Sequence, residues 1–240
     1  KGRTYPVEII YSPPPEDENE ISYLEHCIDV TAEICATNYP GDVLVFLPTE
    51  KDIRSCSEIL RGRVQSQRIL PLFGRRQSRD QRRLFKPYQE PKIVVATNVA
   101  ETSVTVPGIR YVVDSGLARI GTYHPRSRTM RLPITSISQA SCNQRSGRSG
   151  RIGPGTCYRL FSEDDFDRRA PFSTPEIQRS NLAEVILQMV ARNLGDPYQF
   201  PFLDPPRRAS ISEGFRTLRE LGALDSQNRL TPYGTLMASL

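Results

Sequence analysis

With 240 residues, 38% of them hydrophobic and 25% charged, the chain is long enough to bury one large or two modest cores. Its net charge of +5 is modest, and its longest apolar runs, such as Val43–Leu47, are far too short to cross a bilayer, which excludes a helical membrane anchor within it. Five cysteines (27, 35, 56, 142 and 157) form no Cys-x-x-Cys pair, which argues for reduced thiols in a cytoplasmic protein and against a disulfide framework or a zinc site.

The chain begins at Lys1 with no initiator methionine and no signal-peptide pattern, and runs straight into a strand-like Tyr5–Tyr11; it reads as a piece of a longer protein. Ser12-Pro13-Pro14-Pro15 and the acidic Glu16–Glu20 make a short extended linker. From Glu20 to Asn38 the apolar residues Ile21, Leu24, Ile28, Ala32 and Cys35 recur at the helical period. Gly41-Asp42 turns the chain into Val43–Leu47, a continuous apolar run typical of a strand covered on both faces. Thr49 is placed to cap a helix with Ile53, Cys56 and Leu60 inward, and Arg68–Leu72 reads as the next strand. Ser78 and Gln81 make a capping box for a short helix ending near Phe85. Between Arg61 and Lys86, eight arginines and one lysine face a single acid, Asp80; the run is either a polyanion-facing surface or a solvated basic face.

Lys92–Thr97 and Ile109–Asp114 are two further buried strands. Strands alternating with helices imply an α/β fold, a mostly parallel sheet with helices on both faces, and such sheets bind ligands beyond the carboxyl ends of their strands. The loop Asn98–Thr105 begins at such an end. Its small hydroxyl and amide side chains suit phosphates or sugar hydroxyls, although an ordinary strand-to-helix loop has similar composition. Residues 117–134 leave the α/β pattern and read as an inserted basic β-hairpin. Ser138 then caps a helix that carries Gln144-Arg145-Ser146-Gly147-Arg148-Ser149-Gly150-Arg151. Read as one helix, this segment aligns Gln144, Arg148 and Arg151 on one face with Arg145 beside them. Each interior glycine costs about 0.5–1 kcal/mol against alanine, so the pair implies that another surface or a phosphate chain comes close. Arginine suits phosphate because its planar fork binds two oxygens and keeps its charge. A basic solvated helix is the plainer alternative.

Gly155–Phe161 reads as a closing strand. From Thr174-Pro175 one long amphipathic helix is predicted, with Ile177, Leu182, Val185, Ile186, Met189 and Val190 inward. A Pro/Phe-rich loop (Pro197–Pro206) leads to a helix with Phe215, Leu218 and Leu221, stopped by Gly222. Leu224 and Leu230 then flank a polar turn, and Thr231-Pro232 starts a last helix. Helix, helix and short ribbon are the pattern of a winged-helix module, here incomplete.

The segment Gln144–Arg151 resembles motif VI of superfamily 2 helicases. Val45-Phe46-Leu47-Pro48-Thr49 is similar to motif IV, and Thr97–Thr105 to motif V. Together with Gly2–Glu8, Thr105-Val106-Pro107-Gly108-Ile109, Gln139-Ala140-Ser141 and Ser162–Phe166, they make nearly the whole chain resemble a DEAH-box ATP-dependent RNA helicase, most closely of the bacterial HrpA type. Pro107 stands where eukaryotic members usually carry an aspartate. The resemblance implies a second RecA-like domain over residues 1–173, hairpin 117–134 included, and the start of a winged-helix domain over 174–240. It implies that Gln144, Arg148 and Arg151 face the γ-phosphate of ATP, the last two as arginine fingers. Phe85 would cover the adenine, while Ser103, Thr105 and Arg145 contact nucleotide. Thr97, Asn98 and Thr102 would hold the RNA backbone, joined by Arg126 and Arg128 of the hairpin. It further implies single-stranded or structured RNA as partner, a preceding RecA-like domain in cis that holds Mg²⁺, and an activating or ribosome-associated protein. No Gly-x-x-x-x-Gly-Lys-Ser/Thr or Asp-Glu-x-His segment occurs, so this chain alone is expected neither to hydrolyse ATP nor to unwind RNA, and it supplies no metal ligand. The rival readings are a non-catalytic RNA-binding scaffold and a DNA-directed helicase or NTPase.

Overall fold

The structure, a computed structural model, describes residues 5–15, 22–37, 41–65, 67–73, 88–102, 104–124 and 127–239. Among these, six strands form one parallel sheet: β1 (Val7–Tyr11), β2 (Asp42–Phe46), β3 (Arg68–Leu72), β4 (Lys92–Ala96), β5 (Ile109–Asp114) and β10 (Gly155–Arg159), in the order β1-β10-β5-β2-β4-β3. The apolar runs explain why this sheet is buried on both faces. Successive side chains of a strand point to opposite sides. Val43 and Val45 of β2, with Ile93 and Val95 of β4, therefore pack on α1 (Tyr23–Ala36) and α2 (Glu50–Arg63) through Ile28, Ile34, Ile53 and Leu60. Leu44, Phe46, Val94 and Ala96 face the opposite cluster with Ala100, Val104 and Val106. Pro71 is accommodated because β3 lies at the edge of the sheet.

The helix ends follow from local chemistry. Ser22 and Glu25 close a capping box on α1, and the Thr49 hydroxyl accepts the Asp52 amide at the start of α2. The two helices are joined by the Tyr23 hydroxyl, which donates to Asp52 Oδ2 at 3.0 Å. Ser138 caps α4 (Gln139–Ser146), which follows α3 (Val99–Thr102) in the chain. Beyond β10 comes the short α5 (Glu163–Arg168), capped by Ser162.

The chain divides into two compact units, one of residues 1–119 and 134–173, the other of 120–133 and 174–240. The predicted hairpin thus falls into two ribbons. Its stem, β6 (Leu117–Arg119) with β9 (Ile134–Ser136), belongs to the first unit; its outer part, β7 (Thr122–His124) with β8 (Thr129–Arg131), belongs to the second. The second unit has its own core, in which Leu182, Ile186 and Leu187 meet Ile211, Phe215, Leu218 and Leu224. The long helix predicted from Thr174 is in fact two pieces, α6 (Glu176–Arg179) and α7 (Ala183–Ala191). Ser180 is extended, and the Asn181 side chain accepts the Ala183 amide, so local side-chain bonding replaces a helical turn there. Then follow α8 (Arg208–Glu220), an antiparallel bridge between Leu224 and Leu230, and α9 (Pro232–Ala238) capped by Thr231. Gly214 lets α7 and α8 approach, since a Cβ there would come 2.5 Å from the Ile186 side chain. Among the described residues no helix is long and apolar enough to cross a membrane.

Candidate functional site

The carboxyl ends of β2, β4 and β5 bring three loops to one edge of the parallel sheet, where such folds bind ligands. Thr97 follows β4 directly and opens α3; its carbonyl accepts the Ala100 amide, and the Asn98 carbonyl accepts that of Glu101. Asp114 ends β5, and Phe46 ends β2 with its ring 4.7 Å beneath the Arg145 guanidinium.

Among the described residues Arg145 is the largest side chain that is fully buried, 1% exposed, and it is held from several sides. Its Nε donates to Glu101 Oε2 at 3.1 Å, one terminal nitrogen to Asp114 Oδ1 at 2.7 Å and the other to the Leu117 carbonyl at 3.2 Å. Burial works against its charge, but Asp114 and Glu101 outweigh that and hold its pKa above the ordinary arginine value. The expected nucleotide contact of Arg145 differs from its place in the structure, where its guanidinium faces the interior and ties α4 to α3, β5 and the hairpin stem.

The arginine segment is also not one helix. Helix α4 ends at Ser146 with Gly147 as its cap, and residues 147–150 continue as tight turns in which the Arg148 amide bonds the Arg145 carbonyl and the Ser149 amide that of Ser146. Gln144 is exposed on α4, whereas Arg148 and Arg151 lie past its end. Of the two glycines inside the segment, Gly147 meets only the Asn143 and Gln144 carbonyls of its own helix, whereas Gly150 marks a close approach, to the chain's own first strand and the residues leading into it. A Cβ on Gly150 would sit 2.7 Å from the Tyr5 carbonyl oxygen, and the Gly150 carbonyl accepts the Tyr5 amide at 2.8 Å. A Cβ on Gly155 would meet the Ser149 carbonyl at 2.4 Å.

These turns deliver Arg148 and Arg151 to the loop after α3. Arg151 donates to Thr105 Oγ1 at 2.9 Å, and a terminal nitrogen of Arg148 lies 3.5 Å from the Val104 carbonyl. Arg148 is buried, and its pKa is lowered first by that burial and then by the neighbouring Arg151 charge, against a smaller opposing pull from Glu101. Among the described residues no carboxylate forms an ion pair with either arginine. Two adjacent cations, one desolvated and neither in an ion pair among the described residues, fit a polyanionic ligand. The described residues hold no group of three or more His, Cys, Asp or Glu side chains able to cage a metal ion.

Of the expected site residues, Thr105, Arg148 and Arg151 are brought together. Thr97 is half-buried, Asn98 just before α3 and Thr102 at its last position are exposed, and Phe85, Ser103 and Arg126 lie outside the described residues. Arg128 is engaged elsewhere: it makes a bidentate pair with Glu220 at 2.6 and 2.9 Å and lies 3.3 Å from Glu213, both on α8. Sequence reasoning missed Glu101, Asp114 and Ser141. Asp114 did leave a signal, a charge closing an otherwise apolar strand.

The helicase conserved C-terminal domain family matches residues 21–153. This chain belongs to that family. It is 47% identical, over 247 aligned positions, to the ATP-dependent RNA helicase HrpA of Escherichia coli (strain K12), an alignment that takes in 100% of this chain and 19% of that protein. The pre-mRNA-splicing factor ATP-dependent RNA helicase prp22 of Schizosaccharomyces pombe is 40% identical, with 99% of this chain and 21% of that protein covered. Among solved structures, the Escherichia coli DEAH/RHA helicase HrpB superposes with a TM-score of 0.89 at 35% identity, over 99% of this chain and 30% of that one. The chain thus spans about a fifth of the length of these curated relatives. Sequence and fold together bear out the resemblance to DEAH-box helicases and the RecA-like sheet of this family member.

Proposed function

We propose that this chain is the arginine-bearing part of an ATP-driven RNA motor of the DEAH-box type, comprising the second RecA-like domain and the beginning of a winged-helix domain, working in the cytoplasm. The observation that carries the reading is the pair Arg148 and Arg151, in no ion pair among the described residues and beside the Thr105 loop at the carboxyl edge of the sheet. On this reading both guanidinium groups meet the γ-phosphate of ATP when a preceding RecA-like domain closes on them, with Gln144 at the margin. They stabilise the charge that builds on the transferring phosphoryl group, an effect worth roughly 10³–10⁵ in rate for arginine fingers. Arg148 is suited to this because it is already stripped of most water, so its field acts through a low-dielectric medium. The preceding domain supplies what these 240 residues lack: the phosphate cradle, the acid that holds Mg²⁺ and the carboxylate that orients water. Phe85 stacks on the adenine, and Ser103 and Thr105 contact the nucleotide. Thr97, Asn98 and Thr102 grip the RNA backbone, which carries no sequence information of its own.

The test is RNA-stimulated ATP hydrolysis by the full-length protein, comparing wild type with Arg148→Ala and Arg151→Ala. Each substitution is expected to lower the rate by about two to three orders of magnitude while nucleotide binding changes little, the signature of an interaction made in the transition state. Unchanged hydrolysis would reject the reading.

A further inference from the structure

One buried group lies between the two halves of this site. Glu101 sits in the middle of α3, between the residues proposed to hold RNA and those beside the arginines, and it is buried. One carboxylate oxygen accepts the Ser141 hydroxyl at 2.6 Å, from the first turn of α4; the other accepts Arg145 Nε at 3.1 Å, from the last turn. A single side chain therefore clamps α3 along the length of α4. Arg145 extends the clamp to Asp114 and to the Leu117 carbonyl, and the same Glu101 charge acts on Arg148. A surface residue could stiffen a loop with less: a buried carboxylate carries a desolvation cost of several kcal/mol that only a fixed set of donors offsets. Small displacements of α3 must therefore either carry α4 with them or break two charge-assisted bonds.

We propose that Glu101 is a positioning residue that keeps the RNA-facing and phosphate-facing segments in one register, so that RNA seated on Thr97, Asn98 and Thr102 sets the placement of Arg148 and Arg151. The proposal rests on the functional reading above. It assigns to Glu101 no contact with ATP or RNA; it acts through Ser141 and Arg145.

The experiment uses the full-length protein with ATP and a single-stranded RNA, and compares Glu101→Gln, Ser141→Ala and Arg148→Ala. Glutamine keeps the shape and one acceptor but removes the charge. For Glu101→Gln, kcat at saturating RNA is expected to fall about tenfold with KM for ATP within twofold, and the RNA concentration giving half-maximal stimulation is expected to rise at least threefold. Ser141→Ala removes one of the two bonds and should move the same quantities in the same direction by two- to threefold. A melting temperature is taken for every variant, and Glu101→Asp, which keeps the charge on a shorter arm, should recover part of kcat. If Glu101→Gln leaves kcat and half-stimulation at wild-type values while Arg148→Ala abolishes hydrolysis, the positioning role is wrong and the functional reading stands. The positioning role is equally wrong if Glu101→Gln loses activity only in proportion to a lost folded fraction. If Arg148→Ala hydrolyses normally, it is the functional reading that fails, whatever Glu101 does.

Discussion

At the scale of single residues, the two kinds of arginine in Gln144–Arg151 are distinguished by what surrounds them rather than by their spacing. Arg145 is sealed with Glu101 and Asp114, so its removal leaves two carboxylates buried without a cation. Breaking such a pair costs about 3–5 kcal/mol, far more than an exposed pair is worth. Arg145→Ala is therefore expected to lower the urea midpoint of the first unit sharply. Arg145→Lys should recover less than half of the loss, because a point charge cannot serve Glu101, Asp114 and the Leu117 carbonyl at once. The sequence carries no mark of this division. The partners of Arg145 lie 44 and 31 positions away, and only the folded sheet brings them to it. Arg148 and Arg151, by contrast, stand out in the sequence because the arginine fork among small neighbours suits phosphate, the role proposed for them.

At the scale of elements, the buried strands were readable as unbroken apolar runs, and the caps Thr49, Ser138, Ser162 and Thr231 stand where helix chemistry wants them. What escaped is where helices stop. The apolar period continues from Ile177 to Val190, yet side-chain bonding at Asn181 splits it; the arginine helix stops at Ser146 because Gly150 must reach Tyr5. Gly150→Ala should consequently cost about 1–3 kcal/mol, with faster amide exchange confined to β1 and the turn, because a methyl group there overlaps the Tyr5 carbonyl. The bond between α1 and α2 allows a pH test. Burial, then the hydrogen bond to Asp52 and its charge, push the Tyr23 phenol up from 10.0 to about 12. A raised folded-state pKa gives stability that is complete below pH 10 and lost as pH rises toward 12. Wild type should thus exceed Tyr23→Phe by a constant margin up to about pH 9, a margin that shrinks to nothing by about pH 12 in chemical-denaturation curves.

At the scale of the whole molecule, each of the two units is organised around hydrophobic clusters of its own, and these share no residue. Truncations in them should register in different parts of a calorimetric profile: Ile93→Ala in one transition, Phe215→Ala in another, each costing about 2–5 kcal/mol as a cavity in a packed core. A single transition lowered equally by both would contradict this. The assignment of residues 120–133 was the least legible feature, since the hairpin is continuous in sequence while the Arg128 pair with Glu220 spans 92 positions.

The contact between Tyr5 and Gly150 has a mechanical side. Among the described residues β1 is one of the two edge strands of the sheet and runs parallel to β10, so tension applied at Tyr5 loads its bonds in shear, starting at its leading end. The first bond to take that load is the one from Tyr5 to Gly150, one residue from Arg151. The turn that bears the arginines is thus also the point to which the leading end of β1 is tied. Force carried along that segment would arrive there before it reached any other part of the sheet.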